Sequence, residues 1–280
     1  MTPVAPALVD LPTRASGADQ PSRSSPLGWF RRLSGAERLI GVVILLGVWQ
    51  LAFSTGLTTT DTLAGPAEVW TTGWHLLANG TLESAIWVSL QRVLIGLAIG
   101  VPAGLVLAVM AGLTRAGDDV IDTPMQMLRF VPVIGLEPLI VLWFGIGEVA
   151  KVSLIVFGVV FPIYINTYHA VRGIDPRYHE LTRVTGLSRL QVIRRVVLPA
   201  ALPGFLVGLR MAAGIAWLIL VFAEQINATN GIGYLISQAE TFYLSNEILV
   251  GLTTYAVLGL ISDLIVRAVE RKVLAWQPSR

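Results

Sequence analysis

Long apolar runs alternate with short polar segments along most of the chain. Five of these runs are uninterrupted: about Leu39–Phe53, Ile86–Met110, Val152–Tyr168, Ala200–Phe222 and Ile248–Val269. A helix needs roughly 20 mainly apolar residues to cross about 30 Å of hydrocarbon. A sixth run, about Thr123–Ile146, is broken by Pro132 and Pro138 and carries Glu137. Because neighbouring protein or water can satisfy the freed backbone groups of a broken helix, we predict an all-α membrane protein with about six transmembrane helices.

The composition agrees with a bilayer protein. Of the 280 residues, 54% are hydrophobic and 14% are charged, whereas soluble domains carry about 25% charged residues. The absence of cysteine excludes disulfides and thiolate metal sites, and a net charge of +2 is too small to indicate nucleic-acid binding. His75, His169 and His179 lack the spacing of metal ligands. No hydrolase or paired-carboxylate motif is present, so we predict neither a metal site nor an enzyme.

The first 35 residues differ from the rest of the chain. They are rich in Pro, Ser, Gly and Ala and show no sustained apolar periodicity, which predicts a flexible tail. They also lack the apolar core of a cleaved signal peptide. We therefore predict a tail at residues 1–35 and a transmembrane domain at residues 36–280, with the first apolar run retained as a span.

Lysine and arginine set the orientation of membrane helices. They cluster before span 1, after spans 2 and 4, and at the C-terminal end, whereas residues 54–85 and 223–247 contain none. Lys151, in the predicted short turn between spans 3 and 4, is the exception. This pattern predicts that both termini and the loop after span 4 are cytoplasmic. In the first outer loop, Trp70 and Trp74 indicate either an interfacial helix or a lid packed on the spans.

The cytoplasmic loop after span 4 contains the start and stop signals of two short helices. Asp175 is a suitable N-cap before a proline, and Gly186 suits the left-handed end of the first helix. Ser188 and Gln191 form a capping box that starts the second helix. Pro199 and Pro203 mark a predicted turn into span 5. These residues alone leave three interpretations open: a positive-inside loop, a lipid-surface helix or a protein-docking element.

The same loop resembles a known signature. Glu180, five residues, Gly186, nine residues, Val196, one residue and Leu198–Pro199 match the E-A-A-x-x-x-G-x9-I-x-L-P pattern of ABC-importer permeases, although Leu181 and Thr182 replace the alanines. The segments "DTPMQMLR", "LWFGIGEVAK", "FPIYINTYH" and "FAEQINATNGIGYLI" are similar to the nitrate, sulfonate, taurine and bicarbonate branch, and most of all to its aliphatic-sulfonate members. The resemblance covers about residues 39–276, and Glu137 departs from it.

The resemblance implies a type I ABC-importer permease fold, with a core at about residues 80–270 and a coupling loop at residues 170–199 that docks on an ATPase. The implied coupling residues are Asp175, Glu180, Gly186, Ser188, Gln191, Leu198 and Pro199. The implied partners are a second permease copy in a homodimer, two cytoplasmic ATPase subunits and a periplasmic or lipid-anchored binding protein. The implied location is the bacterial inner membrane, and the implied substrate is a small organic anion, foremost an aliphatic sulfonate. Taurine, nitrate, bicarbonate and a pyrimidine precursor remain alternatives.

ATP is expected to be bound elsewhere than on this chain. There is no G-x-x-x-x-G-K-[ST] loop, and the only lysines are Lys151 and Lys272. We therefore expect a partner ATPase to bind ATP and magnesium, and no cofactor on the permease itself. An ion-coupled secondary transporter is the alternative from another class, but the inverted repeats that it predicts are not found.

Four charged residues in or beside apolar runs are chosen as the candidate translocation path: Arg92, Arg210, Glu137 and Glu224. Charge inside a membrane is a functional hypothesis by default, and a sulfonate would be attracted to either arginine. The competing interpretation is structural pairing of these arginines, for instance with Glu137 or Glu224. We expect Glu137 either to be paired or to face away from the path.

Glycines at positions 96, 100 and 104 form a ladder with one small residue every four positions in span 2. Such a ladder lets two helices approach closely. The partner helix is predicted to come either from the same chain or from a second copy.

Overall fold

The computed structural model describes residues 35–60, 62–175, 177 and 187–275. All regular secondary structure in these ranges is helical, as predicted. The helices are α1 (Gly35–Ser54), α2 (Pro66–Ala78), α3 (Thr81–Leu113), α4 (Arg115–Leu128), α5 (Val133–Phe144), α6 (Glu148–Arg172), α7 (Leu190–Ile226), α8 (Ile232–Thr241) and α9 (Ser245–Val273). The chain divides into two units, residues 1–48 and 49–280. The described part of the first unit is the beginning of α1, whose apolar side chains are largely exposed.

Four helices, α3, α6, α7 and α9, are each long and apolar enough to cross a membrane. Helices α4 and α5 together qualify as a fifth span that is bent by 91°, which confirms the predicted interruption. Pro132 lies directly before α5, whereas Pro138 stands in the first turn of its α-helical part, where a missing N–H disrupts nothing. The first predicted span is a shorter apolar helix, Ile40–Ser54.

The glycine ladder of α3 packs against α6 of the same chain. A Cβ atom added at Gly96 would lie 2.4 Å from Ile155 Cγ2, and one at Gly100 would lie 2.8 Å from Val159 Cγ1. At Gly104 the obstacle is the backbone, because the added atom would lie 2.8 Å from the Val160 carbonyl oxygen. The sequence left open which helix packs against the ladder, and the structure shows that it is α6 of the same chain.

Helix α7 approaches α6 from another side in the same way. Cβ atoms added at Gly204 and Gly208 would lie 2.9 and 2.8 Å from the carbonyl oxygens of Asn166 and Pro162. Buried aliphatic side chains fill the space that the three helices α3, α6 and α7 share, among them Ile155, Val159, Ile163, Ala216 and Leu220. The centre of the second unit is thus a tightly packed three-helix core, in which glycines let the helix backbones approach closely.

The predicted turn at Pro199 and Pro203 is wrong. Helix α7 runs without interruption through both prolines. A π-helical turn, Ile193–Val197, precedes Pro199, and the Leu198 N–H bonds to the Ile193 carbonyl five residues back. The wider turn accommodates a proline that cannot donate the usual bond to the residue four positions before it. Residues 190–197 and the following span consequently form one continuous helix.

Helix α2 has features of both an interfacial helix and a lid packed on the spans, the two interpretations of Trp70 and Trp74. Val69 and Leu76 are buried, and the Asn246 side chain of α9 donates a 3.0 Å hydrogen bond to Thr72. Trp70 and Trp74 are instead 75% and 66% exposed. One face of α2 therefore packs on the spans while the other presents aromatic rings, as interfacial helices do.

The orientation remains a prediction, and the absence of cysteine makes it directly testable. In Asn79→Cys the new thiol lies between α2 and α3, and in Ala275→Cys it follows α9. A membrane-impermeant maleimide applied to intact cells should label the first variant only and should label the second after permeabilisation. The opposite result would invert the orientation assigned from arginine and lysine.

Candidate functional site

Arg92 is buried in α3 and is held by two carboxylates. Its Nε and Nη2 atoms donate to the two oxygens of Glu148, each over 2.6 Å, in a bidentate pair. Its Nη1 atom donates to Glu224 Oε1, also over 2.6 Å. Because Glu148 begins α6 and Glu224 lies near the end of α7, this one guanidinium joins three helices through the fork geometry that suits arginine.

Glu224 has no exposed surface and accepts bonds from several further donors. The Ser89 hydroxyl donates to its two oxygens over 2.8 and 2.9 Å. The Tyr255 hydroxyl of α9 and the backbone N–H of Gly233 each donate over 2.9 Å. A buried carboxylate is tolerated only when it is paired and hydrogen-bonded, and Glu224 meets both conditions.

The same residues fix the start of α8. The Ile232 N–H bonds to Ser89 Oγ over 3.0 Å, and Arg92 Nη1 donates to the Asn230 carbonyl over 2.7 Å. Gly231 has a φ of +123°, and a Cβ atom there would lie 2.5 Å from the Glu224 carboxyl carbon. Only glycine fits this position, because the left-handed backbone and the adjacent carboxylate both exclude a side chain.

Lys151 completes the group, which we call the Arg92 cluster: Ser89, Arg92, Glu148, Lys151, Glu224 and Tyr255. The Lys151 ammonium lies 3.2 Å from Glu148 Oε1. Lys151 is buried in the first turn of α6 and not in a turn between spans as predicted, and its pairing accounts for its exception to the charge pattern. Two cations and two carboxylates balance each other, so the cluster offers no excess positive charge to an anion.

The other candidate path residues lie elsewhere. Arg210 approaches Asp263 and Glu270 of α9 at 3.9 and 3.8 Å. The suggested pairing with Glu224 is thus confirmed for Arg92 and is wrong for Arg210. Glu137 is buried in the first turn of the α-helical part of α5. Among the side chains that the structure describes, no cationic nitrogen lies within 4.0 Å of it. Of the four candidates, only Arg92 and Glu224 are brought together.

The predicted coupling loop at residues 170–199, which we call the coupling segment, is described in part. Its capping box is confirmed: the Ser188 N–H bonds to Gln191 Oε1 over 2.9 Å, and the Gln191 N–H bonds to Ser188 Oγ over 3.4 Å. Asp175 accepts a 2.9 Å bond from the Arg177 N–H, as an N-cap does. Glu180 and Gly186 lie outside the described residues, and their roles remain predictions.

Apolar packing holds the C-terminal end of this segment in place. Val197 is buried together with Val171 of α6 and Ala201 of α7, and Leu198 and Pro199 continue directly into the span. A surface hollow of about 340 Å³ is lined by Leu190, Gln191, Arg194 and Arg195. Leu190 is 73% exposed there.

Comparison with known proteins identifies the family. The profile of the family described as "Binding-protein-dependent transport system inner membrane component" matches residues 100–275, more than half of the chain. The chain belongs to this family. It is therefore a permease subunit of an ABC transport system and a multi-pass inner-membrane protein, as its apolar helices require.

Individual relatives agree with this assignment. The permease is 43% identical to the putative aliphatic sulfonates transport permease protein SsuC of Escherichia coli (strain K12), over 90% of this chain and 94% of that one. It is 37% identical to the protein of the same name in Bacillus subtilis (strain 168), over 89% and 90% of the two chains. Its fold matches the crystal structure of a bacterial ABC transporter involved in the import of alginate, with a TM-score of 0.60 and 18% identity over 87% and 91% of the chains.

Several members of the Arg92 cluster escaped sequence reasoning. Ser89 lies three residues before Arg92, and Glu148 lies three residues before Lys151, so each pair shares a helix face. These spacings were a usable signal for local pairing. No spacing, however, indicates that α3, α6, α7 and α9 bring Arg92, Glu148, Glu224 and Tyr255 to one point.

Proposed function

We propose that this permease forms the membrane path of an ATP-driven importer that carries aliphatic sulfonates into the cell. The substrate assignment rests on two relatives that are named for aliphatic sulfonate transport and that align over about nine-tenths of the permease. The predicted signature at Glu180, Gly186 and Pro199 supports the coupling to ATP. A partner ATPase binds ATP and magnesium, a binding protein delivers the sulfonate, and a second permease copy completes the path.

The coupling segment and α7 suggest how the energy crosses the membrane. The capping box ties the Ser188 turn to α7, and the helix then continues unbroken for 37 residues. At 1.5 Å per residue such a helix is about 55 Å long. Glu224, near its far end, is bonded to α3, α8 and α9. Movement of the ATPase against the coupling segment would thus be transmitted along α7 to the Arg92 cluster.

Reconstitution tests this function. Permease, ATPase and binding protein in liposomes should take up butanesulfonate only when ATP is supplied on the ATPase side, and omission of any one protein should abolish uptake. Ionophores that dissipate ion gradients should leave uptake unchanged. Uptake that survives without the ATPase and stops with the ionophore would establish the ion-coupled alternative instead. Taurine, nitrate and bicarbonate serve as competitors that rank the possible substrates.

Gly186→Val tests the coupling loop within the same assay. If Gly186 ends a helix in a left-handed conformation, a β-branched residue cannot take its place. We expect ATP-driven uptake to fall at least tenfold while membrane insertion and permease yield stay normal. Gly41→Val in α1 is the matched control, because an added Cβ atom there meets no atom within 4 Å. Normal uptake by Gly186→Val would remove this glycine from the mechanism.

A further inference from the structure

Arg129 differs from Arg92 and Arg210, the two arginines of the candidate path. It lies at the bend between α4 and α5, where the broken span changes direction by 91°. Arg92 and Arg210 each face two carboxylates. In contrast, no carboxylate lies within 4.0 Å of Arg129 among the side chains described. Its guanidinium carbon rests 4.7 Å from the centre of the Phe130 ring. Arg129 is therefore a cation with unused capacity for an anion.

Arg129 borders a cavity of about 270 Å³ between α4, α6 and α7. Gln126, Arg129 and Tyr164 supply the polar lining, and the apolar lining includes Phe161, Pro162 and Ile215. Pro162 lies near the middle of α6, and Ile215 lies about two-thirds of the way along α7. The cavity consequently lies away from the ends of both helices, beside the non-helical residues of the broken span. Irregular backbone at this depth is tolerated where protein buries it or where it borders a water-filled cavity.

The lining combines a cation at one edge with an apolar wall. This arrangement suits an amphiphilic anion, whose charged head pairs with the guanidinium while its hydrocarbon part covers apolar side chains. A free inorganic anion would use only the first feature, and a neutral hydrocarbon only the second. An alkanesulfonate uses both.

A carboxylate behind the lining restricts the charge of the ligand. Asp122 Oδ1 accepts a 2.8 Å hydrogen bond from the Tyr164 hydroxyl and a 3.4 Å bond from the Gln126 amide. The negative charge of Asp122 therefore lies next to two lining residues and opposes the field of Arg129. With one cation and one nearby carboxylate, the site favours a monoanion over a dianion such as sulfate.

We propose that this cavity is a substrate station on the translocation path, in which Arg129 binds the sulfonate group and the wall formed by Phe161, Pro162 and Ile215 receives the alkyl chain. The proposal rests on the proposed import of aliphatic sulfonates and adds the contact residues. It also explains why a bilayer protein keeps an arginine without a carboxylate partner at a break in a span, where charge is costly unless it is used.

The test uses the complete reconstituted transporter. We expect Arg129→Met to reduce butanesulfonate uptake at least tenfold, with wild-type basal ATP hydrolysis and an unchanged affinity of the binding protein for the sulfonate. Arg129→Lys should retain an intermediate rate, because it keeps the charge but loses the fork of donors. Arg271→Gln is the matched control, since its side chain lies near the end of α9, away from the cavity. Unchanged uptake by Arg129→Met would overturn the proposal.

The apolar wall supplies an independent readout. Ile215→Phe shortens the cavity, and we expect it to lower octanesulfonate uptake at least fivefold relative to ethanesulfonate. Equal loss for both substrates would indicate a packing defect and contradict a substrate station. If size-exclusion chromatography shows that Arg129→Met does not assemble, Arg129 joins two permease copies instead. If wild-type permease in vesicles without anionic lipid shows the same loss of uptake, Arg129 binds a lipid headgroup instead. If the wild-type transporter takes up no sulfonate, the proposed substrate fails irrespective of Arg129.

Discussion

Glu224→Leu should be among the most destabilising single changes in this permease. The carboxylate of Glu224 is completely buried and accepts bonds from Arg92, Ser89, Tyr255 and the Gly233 N–H. Its loss leaves a buried guanidinium with a single carboxylate and leaves the Gly233 N–H in the first turn of α8 without its acceptor. Breaking a buried ion pair on one side costs about 3–5 kcal/mol. The measurement is the free energy of unfolding in mixed detergent micelles, followed by helical circular dichroism.

Two further variants separate charge from packing. Glu148→Gln should cost less than half as much, because the Glu148 side chain is 60% exposed and Arg92 keeps its bond to Glu224. The double variant Arg92→Leu with Glu224→Leu should be more stable than Glu224→Leu alone, since no unpaired charge is left buried. If the double variant loses the sum of the two single losses, the Arg92 cluster stabilises the fold by shape and not by charge compensation.

Gly104→Val is expected to prevent normal packing of α3 on α6. The added Cβ atom would lie 2.8 Å from the Val160 carbonyl oxygen and 2.9 Å from the Ile163 Cβ atom. Backbone atoms cannot rotate away as the end of a side chain can, so the two helices must separate along their whole contact. Overpacking a tight core costs about 1–3 kcal/mol and occasionally more, and the upper end is expected here. The yield of monodisperse protein and the midpoint of thermal unfolding measure the loss.

Gly259→Val in α9 is the matched control for Gly104→Val. Both glycines lie inside long apolar helices, but a Cβ atom added at Gly259 meets no atom within 4 Å. Helix propensity changes equally in both variants, and only the contact with a second helix differs. Equal losses from the two substitutions would refute close packing as the reason for the α3 ladder.

Local features of the fold were predictable where neighbouring residues decide them. The capping box needs only Ser188 and Gln191, and both predicted hydrogen bonds are present. The break in the third span follows from Pro132, which cannot extend a helix backward. Pro199 shows the limit of such rules, because a π-helical turn accommodates it inside α7. Packing of Val197 against Val171 and Ala201 holds that turn in place, and no local rule contains this packing.

For the candidate site, the sequence indicated which charged residues are unusual but did not indicate which of them contact each other. Arg92, Arg210 and Glu224 were identified because charge is costly in an apolar run. Which of them pair depends on how the helices are placed side by side, and Glu148 joined Arg92 across 56 positions of sequence. Arg129 was not singled out, although it lies inside the predicted broken span at about Thr123–Ile146. Its significance lies in the absence of a carboxylate partner among the described residues and in the cavity beside it.

By itself, the sequence determined the class of the protein, its helical spans, its broken third span and the glycine ladder, since hydrophobic length and local backbone chemistry act within a few residues. The tertiary structure alone decided that the ladder packs on α6, that Arg92 and Glu224 form a neutral cluster, and that α7 is continuous from the coupling segment to that cluster. The physical reason is that charge pairing and close packing depend on distances between helices, and these distances are set by the contacts of all helices together.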